Sequence, residues 1–167
     1  MFHTRHFTEA RDGEEITYKS ISHYLQYNKA LKFGDVDRAR KILEVRAPRK
    51  AKYIGNNVEN FDESEWDLVK EDVAVDGLML KFTFPAAADL RQKLLDTGEK
   101  LLVKADPFND DWGIGYGENV ACQYRSRWGN NLLGGCLMEA RDRLRAIDMA
   151  EENDDVTDGG ETSDSSD

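Results

Sequence analysis

Apolar residues along the chain recur mostly at intervals of three and four, which is the spacing of one face of an α-helix. The longest series follows Asn130 and Asn131, either of which can cap a helix. Its members are Leu133, Leu137, Ala140, Leu144 and Ile147. Two short runs, Glu15–Tyr18 and Leu101–Val103, have the composition of β-strands. The pattern therefore predicts a mainly α-helical fold with a few short β-strands in one compact domain.

Capping residues and helix breakers divide the rest of the chain into four further helices. These run from Ser20 or Ser22 to Phe33, from Asp35 to Pro48, from Asp62 to Phe82 and from Ala86 to Leu95. The third helix opens on a capping box, and Gly98 stands where a left-handed residue commonly closes a helix. A turn at Asp12-Gly13 precedes the first predicted strand.

The segment between Val103 and the last helix has the composition of a functional loop. It is rich in glycine and holds two Trp-Gly units, Trp112-Gly113 and Trp128-Gly129. Glycine lets the backbone approach a ligand, and an indole offers a flat face on which a base or a sugar can stack. Loops of this length in a compact domain are usually functional. A purely structural loop with tryptophan at its corners is the alternative interpretation.

The 167 residues carry a formal net charge of -10, and this charge is concentrated at the C-terminus. Eight of the 33 acidic residues and none of the 23 basic residues lie in 151–167, so residues 1–150 are nearly neutral. This end has no large apolar residue after Val156 and cannot bury enough surface to fold. We therefore predict a domain over residues 1–148 and an acidic disordered tail over residues 149–167. Serines in the tail suit an acid-directed kinase, although a solubilising role is the simpler interpretation.

Composition also bounds the compartment and the metal chemistry. There is no run of 18 apolar residues and no signal-like start, which predicts a cytoplasmic protein without a membrane span. Cys122 and Cys136 lack CxxC spacing and are expected to be free thiols, with one disulfide as the alternative. His3 and His6 have no further ligands in a recognisable pattern, so neither a metal nor a cofactor is predicted.

A collinear set of motifs over nearly all of residues 1–145 resembles the NADAR, or YbiA-like, family. The motifs are Tyr18-x-Ser20-x-Ser22-His23-x-x-Gln26-x-x-Lys29, Ile54-Gly55, Trp66, Lys81-Phe82, Thr97-Gly98, Leu102-Val103, Trp112-Gly113-Ile114-Gly115 and Trp128-Gly129-x-Asn131-x-Leu133-Gly134-x-x-Leu137-Met138-x-x-Arg141. The order of the whole set is far more specific than any single motif.

The resemblance implies a compact helical fold and N-glycosidase chemistry. Members of the family are linked to cleavage of phosphoribosylamino-pyrimidine intermediates of riboflavin synthesis, or to removal of ADP-ribose from guanine bases. The implied ligand is a nucleotide sugar resembling ADP-ribose, and nucleic acid enters only as an ADP-ribosylated substrate. The implied binding residues are His23, Gln26, Lys29, Trp66, Lys81, Trp112, Gly113, Gly115, Trp128, Asn131 and Arg141. For the basic and aromatic members, solvated charge and structural packing are the alternatives.

The carboxylates are where the chain departs from the family pattern. Breaking a ribose C1′–N bond develops positive charge on the sugar, so a carboxylate near C1′ is expected. A Glu in the first helix, a Glu after Leu-Val and an Asp before Trp-Gly are replaced by Ser22, Lys104 and Asn109. The catalytic positions are therefore predicted to be Ser22 and Asn109, with the loop acids Asp110 and Asp111 as substitutes.

Three functions remain open from the sequence alone. One is a domain that binds a nucleotide sugar without turning it over, which accounts best for the replaced carboxylates. Another is an active N-glycosidase or ADP-ribosyl hydrolase that uses rearranged loop acids. The last is a scaffold that has lost the ligand. No protein partner of the acidic tail can be named.

Overall fold

The computed structural model describes residues 6–158, which form eight α-helices, two short 3-10 helices and one β-hairpin. The strands are β1 (Phe7–Arg11) and β2 (Glu14–Tyr18). The first four helices are α1 (Ile21–Lys32), α2 (Val36–Glu44), α3 (Pro48–Gly55) and α4 (Glu63–Asp67). The others are α5 (Lys70–Thr83), α6 (Ala88–Leu95), α7 (Glu118–Ala121) and α8 (Leu132–Asp158). The 3-10 helices are Pro85–Ala87 and Cys122–Arg127. The predicted mainly α-helical fold is confirmed.

Strands β1 and β2 pair antiparallel across the predicted turn, in which Asp12 and Gly13 take φ angles of 52° and 82°. The second strand confirms the strand predicted at Glu15–Tyr18. The first strand was not predicted, because its mixed sequence shows no regular alternation of apolar and polar residues. Phe7 and Tyr18 face each other in the register and are both fully buried.

Helix α1 lies between two hydrophobic clusters and so positions the rest of the fold. Leu25 packs into a cluster with α4, α5, α6 and α8, whereas Tyr24 and Tyr27 pack into a cluster with the hairpin, α2 and α3. Ser20 is the N-cap, since its side chain accepts a hydrogen bond from the His23 backbone N–H. The alternative cap, Ser22, lies inside the helix, and its hydroxyl donates to the Pro48 carbonyl at 3.4 Å.

Two predicted helices have other bounds in the structure. The helix predicted from Asp35 to Pro48 ends at Glu44, and Pro48 instead opens α3, where its missing N–H costs nothing. The helix predicted from Asp62 to Phe82 is interrupted at Val69, whose N–H bonds to Trp66 three residues back and closes α4. The predicted cap at Asp62 is confirmed by its 3.0 Å hydrogen bond from the Glu65 N–H.

The strand predicted at Leu101–Val103 is wrong, because this extended segment has no neighbouring strand within residues 6–158. A side chain takes the place of that neighbour. The Asn131 amide donates to the Leu102 carbonyl at 2.9 Å and accepts from the Lys104 N–H at 3.0 Å. The segment is thereby held against the start of α8 without joining a sheet.

Helix α8 packs along α5 and α6, with Cys136, Ala140 and Leu144 in the core. Of the predicted apolar stripe, Ile147 is exposed, and Leu133 and Leu137 are only partly buried because they line cavities described below. The helix continues ten residues beyond the predicted domain end at 148, to Asp158. Residues 159–167 of the predicted acidic tail lie outside the described residues.

Candidate functional site

A cleft of about 500 Å³ opens between α1, α3, Trp66 on α4 and the loop that follows Leu102. Most of the predicted site residues on α1 and on the loop meet there. The residues that line it are Ile21, Ser22, Leu25, Gln26, Lys29, Lys52, Asn56, Trp66, Lys104, Asn109, Asp111, Trp112 and Leu133. The cleft is of the size that commonly holds a small-molecule ligand.

Helix α1 presents Ser22, Gln26 and Lys29 to the cleft, because residues four and then three apart stand on one helical face. Gln26 packs over Gly55, where a Cβ atom would collide with the Gln26 amide. Its Oε1 is buried and has no hydrogen-bond partner among residues 6–158. A polar atom left in this state beside a cleft is available to a ligand donor.

Lys29 is the most buried of the three lysines in the cleft, with 8% of its surface exposed. Its ammonium lies 3.7 Å from the centroid of the Phe61 ring. Burial lowers the pKa of Lys29, and the charge of Glu63 only partly opposes this effect. The lysine is therefore more easily deprotonated than one in water, which makes its amine a candidate base or nucleophile.

The loop holds its shape through its own polar groups and through the start of α8. Asn109 Oδ1 accepts a 2.8 Å hydrogen bond from the Trp112 N–H, which sets the indole against the cleft. A Cβ atom on Gly113 would lie 2.8 Å from the Asn109 carbonyl, and Gly115 takes a φ of 74°. Both glycines are therefore required for the turn, and neither of them lines the cleft.

Asp111 is the one carboxylate among the described residues that line the cleft. It accepts hydrogen bonds at 3.0 Å from the Lys70 ammonium and at 3.0 Å from the Asn130 amide. Burial acts to raise the pKa of Asp111, but these two hydrogen bonds and the charge of Lys70 outweigh it and lower the pKa. The group is thus held ionised. Asp110, by contrast, lines a separate shallow depression with Pro107 and Phe108.

Cations outnumber anions in the cleft. Lys52 and Lys104 join Lys29, and Asp111 is itself paired with Lys70. Lys104 lies 3.1 Å from Asp106 at the rim, so part of its charge is already satisfied. The balance favours a ligand that carries phosphate or another anion.

Several predicted ligand-binding residues have structural contacts away from the cleft. His23 is fully buried, accepts from the Ser20 hydroxyl through Nδ1 at 2.8 Å and donates from Nε2 to the Val45 carbonyl at 3.1 Å. Burial lowers the pKa of His23, and the Val45 bond opposes that shift in part. The histidine thus joins α1 to the end of α2, ahead of α3, and so sets one wall of the cleft.

Trp128, Asn131 and Arg141 also stand outside the cleft lining. Trp128 donates from its indole N–H to the Ala121 carbonyl at 2.8 Å. Arg141 is 3% exposed and donates to the Thr97 hydroxyl and the Lys100 carbonyl, which closes the turn after α6. Lys81 lies next to the cleft in an adjoining cavity.

The sequence interpretation missed Lys52. Of the three tryptophans that it named, Trp66 and Trp112 line the cleft and Trp128 does not. Lys52 stands on α3, a helix that was not predicted. Its sequence signal is the basic run after Pro48, in which a proline at the first helical position precedes Arg49, Lys50 and Lys52.

The fold and the cleft define a NADAR-domain protein. The NADAR domain model matches residues 1–145, and the chain belongs to this family. It is 40% identical over 139 residues to N-glycosidase R617 of Acanthamoeba polyphaga mimivirus, with 81% of each chain covered. It is 29% identical to N-glycosidase Npun_R5314 of Nostoc punctiforme, with 80% of this chain and 79% of that protein covered.

The solution structure of the E. coli protein YbiA has the same fold. It superposes with a TM-score of 0.66 at 29% sequence identity, covering 87% of this chain and 76% of that one. The similarity confirms the family resemblance inferred from the motifs. Within residues 6–158 no helix is long and apolar enough to cross a bilayer, and no cluster of three metal-ligating side chains occurs.

Proposed function

We propose that the cleft binds a phosphorylated ribosyl nucleotide, of the ADP-ribose or phosphoribosylamino-pyrimidine type, and hydrolyses its N-glycosidic bond. The observation that carries the proposal is the meeting of one ionised carboxylate, Asp111, with a buried lysine, Lys29, in a cleft rich in cations. Relatives similar over four fifths of the chain are named N-glycosidases, which supports the same reaction class.

The chemistry assigns each group a separate task. As the C1′–N bond breaks, positive charge grows on the ribose, and the carboxylate of Asp111 stabilises it at close range. Burial lowers the pKa of Lys29, and the amine, once deprotonated, takes a proton from the water that attacks C1′. Lys52 and Lys104 at the mouth bind phosphate oxygens.

Aromatic side chains complete the ligand contacts. Trp66 and Trp112 line the cleft from different elements, one from α4 and one from the loop. They pack against the ribose and, in an ADP-ribose ligand, can stack with its adenine, which is worth about 1–3 kcal/mol per base. The unpaired Oε1 of Gln26 accepts a hydrogen bond from a sugar hydroxyl.

A second candidate function is binding without turnover, and the hydroxyl of Ser22 favours it. Ser22 lines the cleft at the position where the family resemblance implies a glutamate. Its Oγ is 3.4 Å from the Pro48 carbonyl and cannot supply a charge to the sugar. In this case Asp111 would anchor Lys70 and the loop only.

Release of free base, followed by chromatography, separates the two functions. Purified protein is incubated with a phosphoribosylamino-pyrimidine and, separately, with an ADP-ribosylated guanine, while thermal shift with ADP-ribose reports binding. Turnover that is lost in Asp111→Asn supports the N-glycosidase. A raised thermal midpoint without base release supports binding alone, and neither response would rule out both.

The Ser22→Glu, Asn109→Asp double variant gives a further test of binding without turnover. Asp at 109 keeps the acceptor for the Trp112 N–H, so the loop should be preserved. Lys104 is left unchanged, because an acid there would stand beside Asp106 and repel it. If the natural protein binds without turnover, base release should appear in the double variant.

A further inference from the structure

A second cavity of about 280 Å³ adjoins the cleft behind Ser22. Ile21, Ser22 and Leu133 line both spaces, so the two are neighbours that share one wall. The second cavity is mainly apolar. Its own walls come from α5 and α8, through Leu78, Phe82 and Leu137, and from Pro48.

Lys81 is the one charged side chain in this lining. It is 5% exposed, and its ammonium has no hydrogen bond or ion pair with any residue in the 6–158 range. The nearest aromatic group is the Phe82 ring, whose centroid is 6.0 Å away. The Lys81 side chain is thus almost wholly buried, while its ammonium is not among the fully buried polar atoms and remains accessible from the cavity. A lysine in such apolar surroundings is usually paired, so its ammonium is placed to donate to a ligand in this cavity.

The two cavities differ in the way the two halves of an N-glycoside differ. The cleft has three lysines and Asp111, which suit an anionic sugar phosphate and the cation that forms at C1′. The second cavity has mainly apolar walls, two serine hydroxyls that already donate to His23 and to the Pro48 carbonyl, and one ammonium without a partner among the described residues, which suit a flat heterocycle with a carbonyl oxygen. Their shared wall at Ser22 and Leu133 would then lie at the glycosidic bond.

We infer that the second cavity is the subsite for the base, and that Lys81 donates a hydrogen bond to a ring carbonyl oxygen of an oxo-pyrimidine or oxo-purine. The inference rests on the proposed function and adds to it the class of base that the site recognises. When the C1′–N bond breaks, its electron pair moves onto the base and in part onto that oxygen. Lys81 stabilises this charge, while water supplies hydroxide to C1′ and a proton to the base.

Leucine methyl groups report on the two cavities separately. Leu25 lines the cleft only, whereas Leu78 and Leu137 line the second cavity only. In methyl NMR spectra of the full chain, ribose 5-phosphate should shift Leu25, and the free base 5,6-diaminouracil should shift Leu78 and Leu137. The inference would be overturned if the free base shifts the methyl signals of Leu25 alone, or those of no leucine. If ribose 5-phosphate moves nothing, the proposed function fails, and the base titration still decides the subsite.

Lys81→Met removes the donor and keeps the shape of the stem. Since no described residue loses a partner, the fold should be retained with an equal or higher thermal midpoint. The shifts of Leu78 and Leu137 with base should be lost, and kcat/KM for a phosphoribosylamino-pyrimidine should fall about 10- to 100-fold. The Kd for ribose 5-phosphate should stay within about twofold.

Two further variants test whether Lys81 contacts the base or only supports the fold. Leu137→Phe fills the second cavity from α8 and should weaken the base and spare ribose 5-phosphate, with Lys81 intact. Lys93→Met removes an exposed lysine on α6 and should change neither ligand. Equal loss of both ligands in Lys81→Met, together with a lower thermal midpoint, would show that Lys81 only supports the fold.

Discussion

The side-chain amide of Asn131 donates a 2.9 Å hydrogen bond to the backbone carbonyl of Leu102, which joins the first residue before α8 to the segment that leads into the loop. The same amide accepts from the Lys104 N–H, and Asn131 itself takes a φ of 53°. One side chain thus sets the path of the backbone that carries Lys104 into the cleft.

Asn131→Gly should lower the free energy of unfolding by about 1–3 kcal/mol, because two backbone groups lose their partner while the left-handed φ is still tolerated. Asn131→Ala should lower it further, by about 1 kcal/mol of backbone strain. Urea unfolding followed by circular dichroism measures both. Asn130→Ala is the matched control, since within residues 6–158 its exposed amide bonds to Asp111 alone, and a loss equal to that of Asn131→Gly would contradict the account.

Asp111→Asn should reduce base release by about 100- to 1,000-fold, because the charge that faces the sugar cation is removed while the shape is kept. The affinity for ribose 5-phosphate should not fall, since a negative charge is lost near the phosphate. Single-turnover chromatography and calorimetry measure the two effects. Asp110→Asn is the control, an adjacent acid outside the cleft lining, and it should leave base release unchanged.

Lys70→Met should move the acidic limb of the rate profile to higher pH. Lys70 and Asn130 together hold the pKa of Asp111 below its usual range against the effect of burial, so the loss of one of them raises it. Because the pKa of Asp111 is lower in the folded protein, the stability that it contributes is present above its unfolded pKa and is lost as pH falls through the folded pKa. Rates of base release between pH 4 and 8 test the shift. An unmoved limb would mean that Asp111 is not the titrating group.

Lys29→Met should abolish base release if the neutral amine takes part, while Lys32→Met, one turn away and exposed, should not.

Because burial lowers the pKa of Lys29, its charged form destabilises the fold at neutral pH. The unfolded chain therefore binds more protons between the two pKa values, and stability rises with pH there. Urea unfolding should show Lys29→Met to be more stable at pH 7, by a margin that shrinks as pH rises. A less stable variant at pH 7 would argue against this role of burial.

Removal of residues 159–167 should leave both the thermal midpoint and ligand binding unchanged, because this segment has no large apolar residue with which to pack. The cut is placed after Asp158 so that α8 and the contact between Arg91 and Asp148 are retained. Differential scanning calorimetry of the two chains gives the comparison. A fall of several degrees would show that the tail contributes to the folded domain.

Features that depend on residues within about four positions of each other could be predicted from the sequence. The caps at Asp35 and Asp62, the turn at Asp12 and the common face of Gln26 and Lys29 are of this kind. Each follows from helical or turn geometry and from the local hydrogen bonds that short polar side chains make. The family motifs likewise indicated the family and the fold before any contact was known.

Features that depend on what packs from elsewhere in the chain were decided by the tertiary structure. Lys29 and Arg141 are both buried basic residues on helices, yet one faces the cleft and the other closes a turn at Thr97. Leu101–Val103 has the composition of a strand, but it is paired by a side chain 29 positions away from Leu102. Burial and long-range pairing are properties of the neighbours that a residue meets after folding, and the pattern around the residue itself does not contain them.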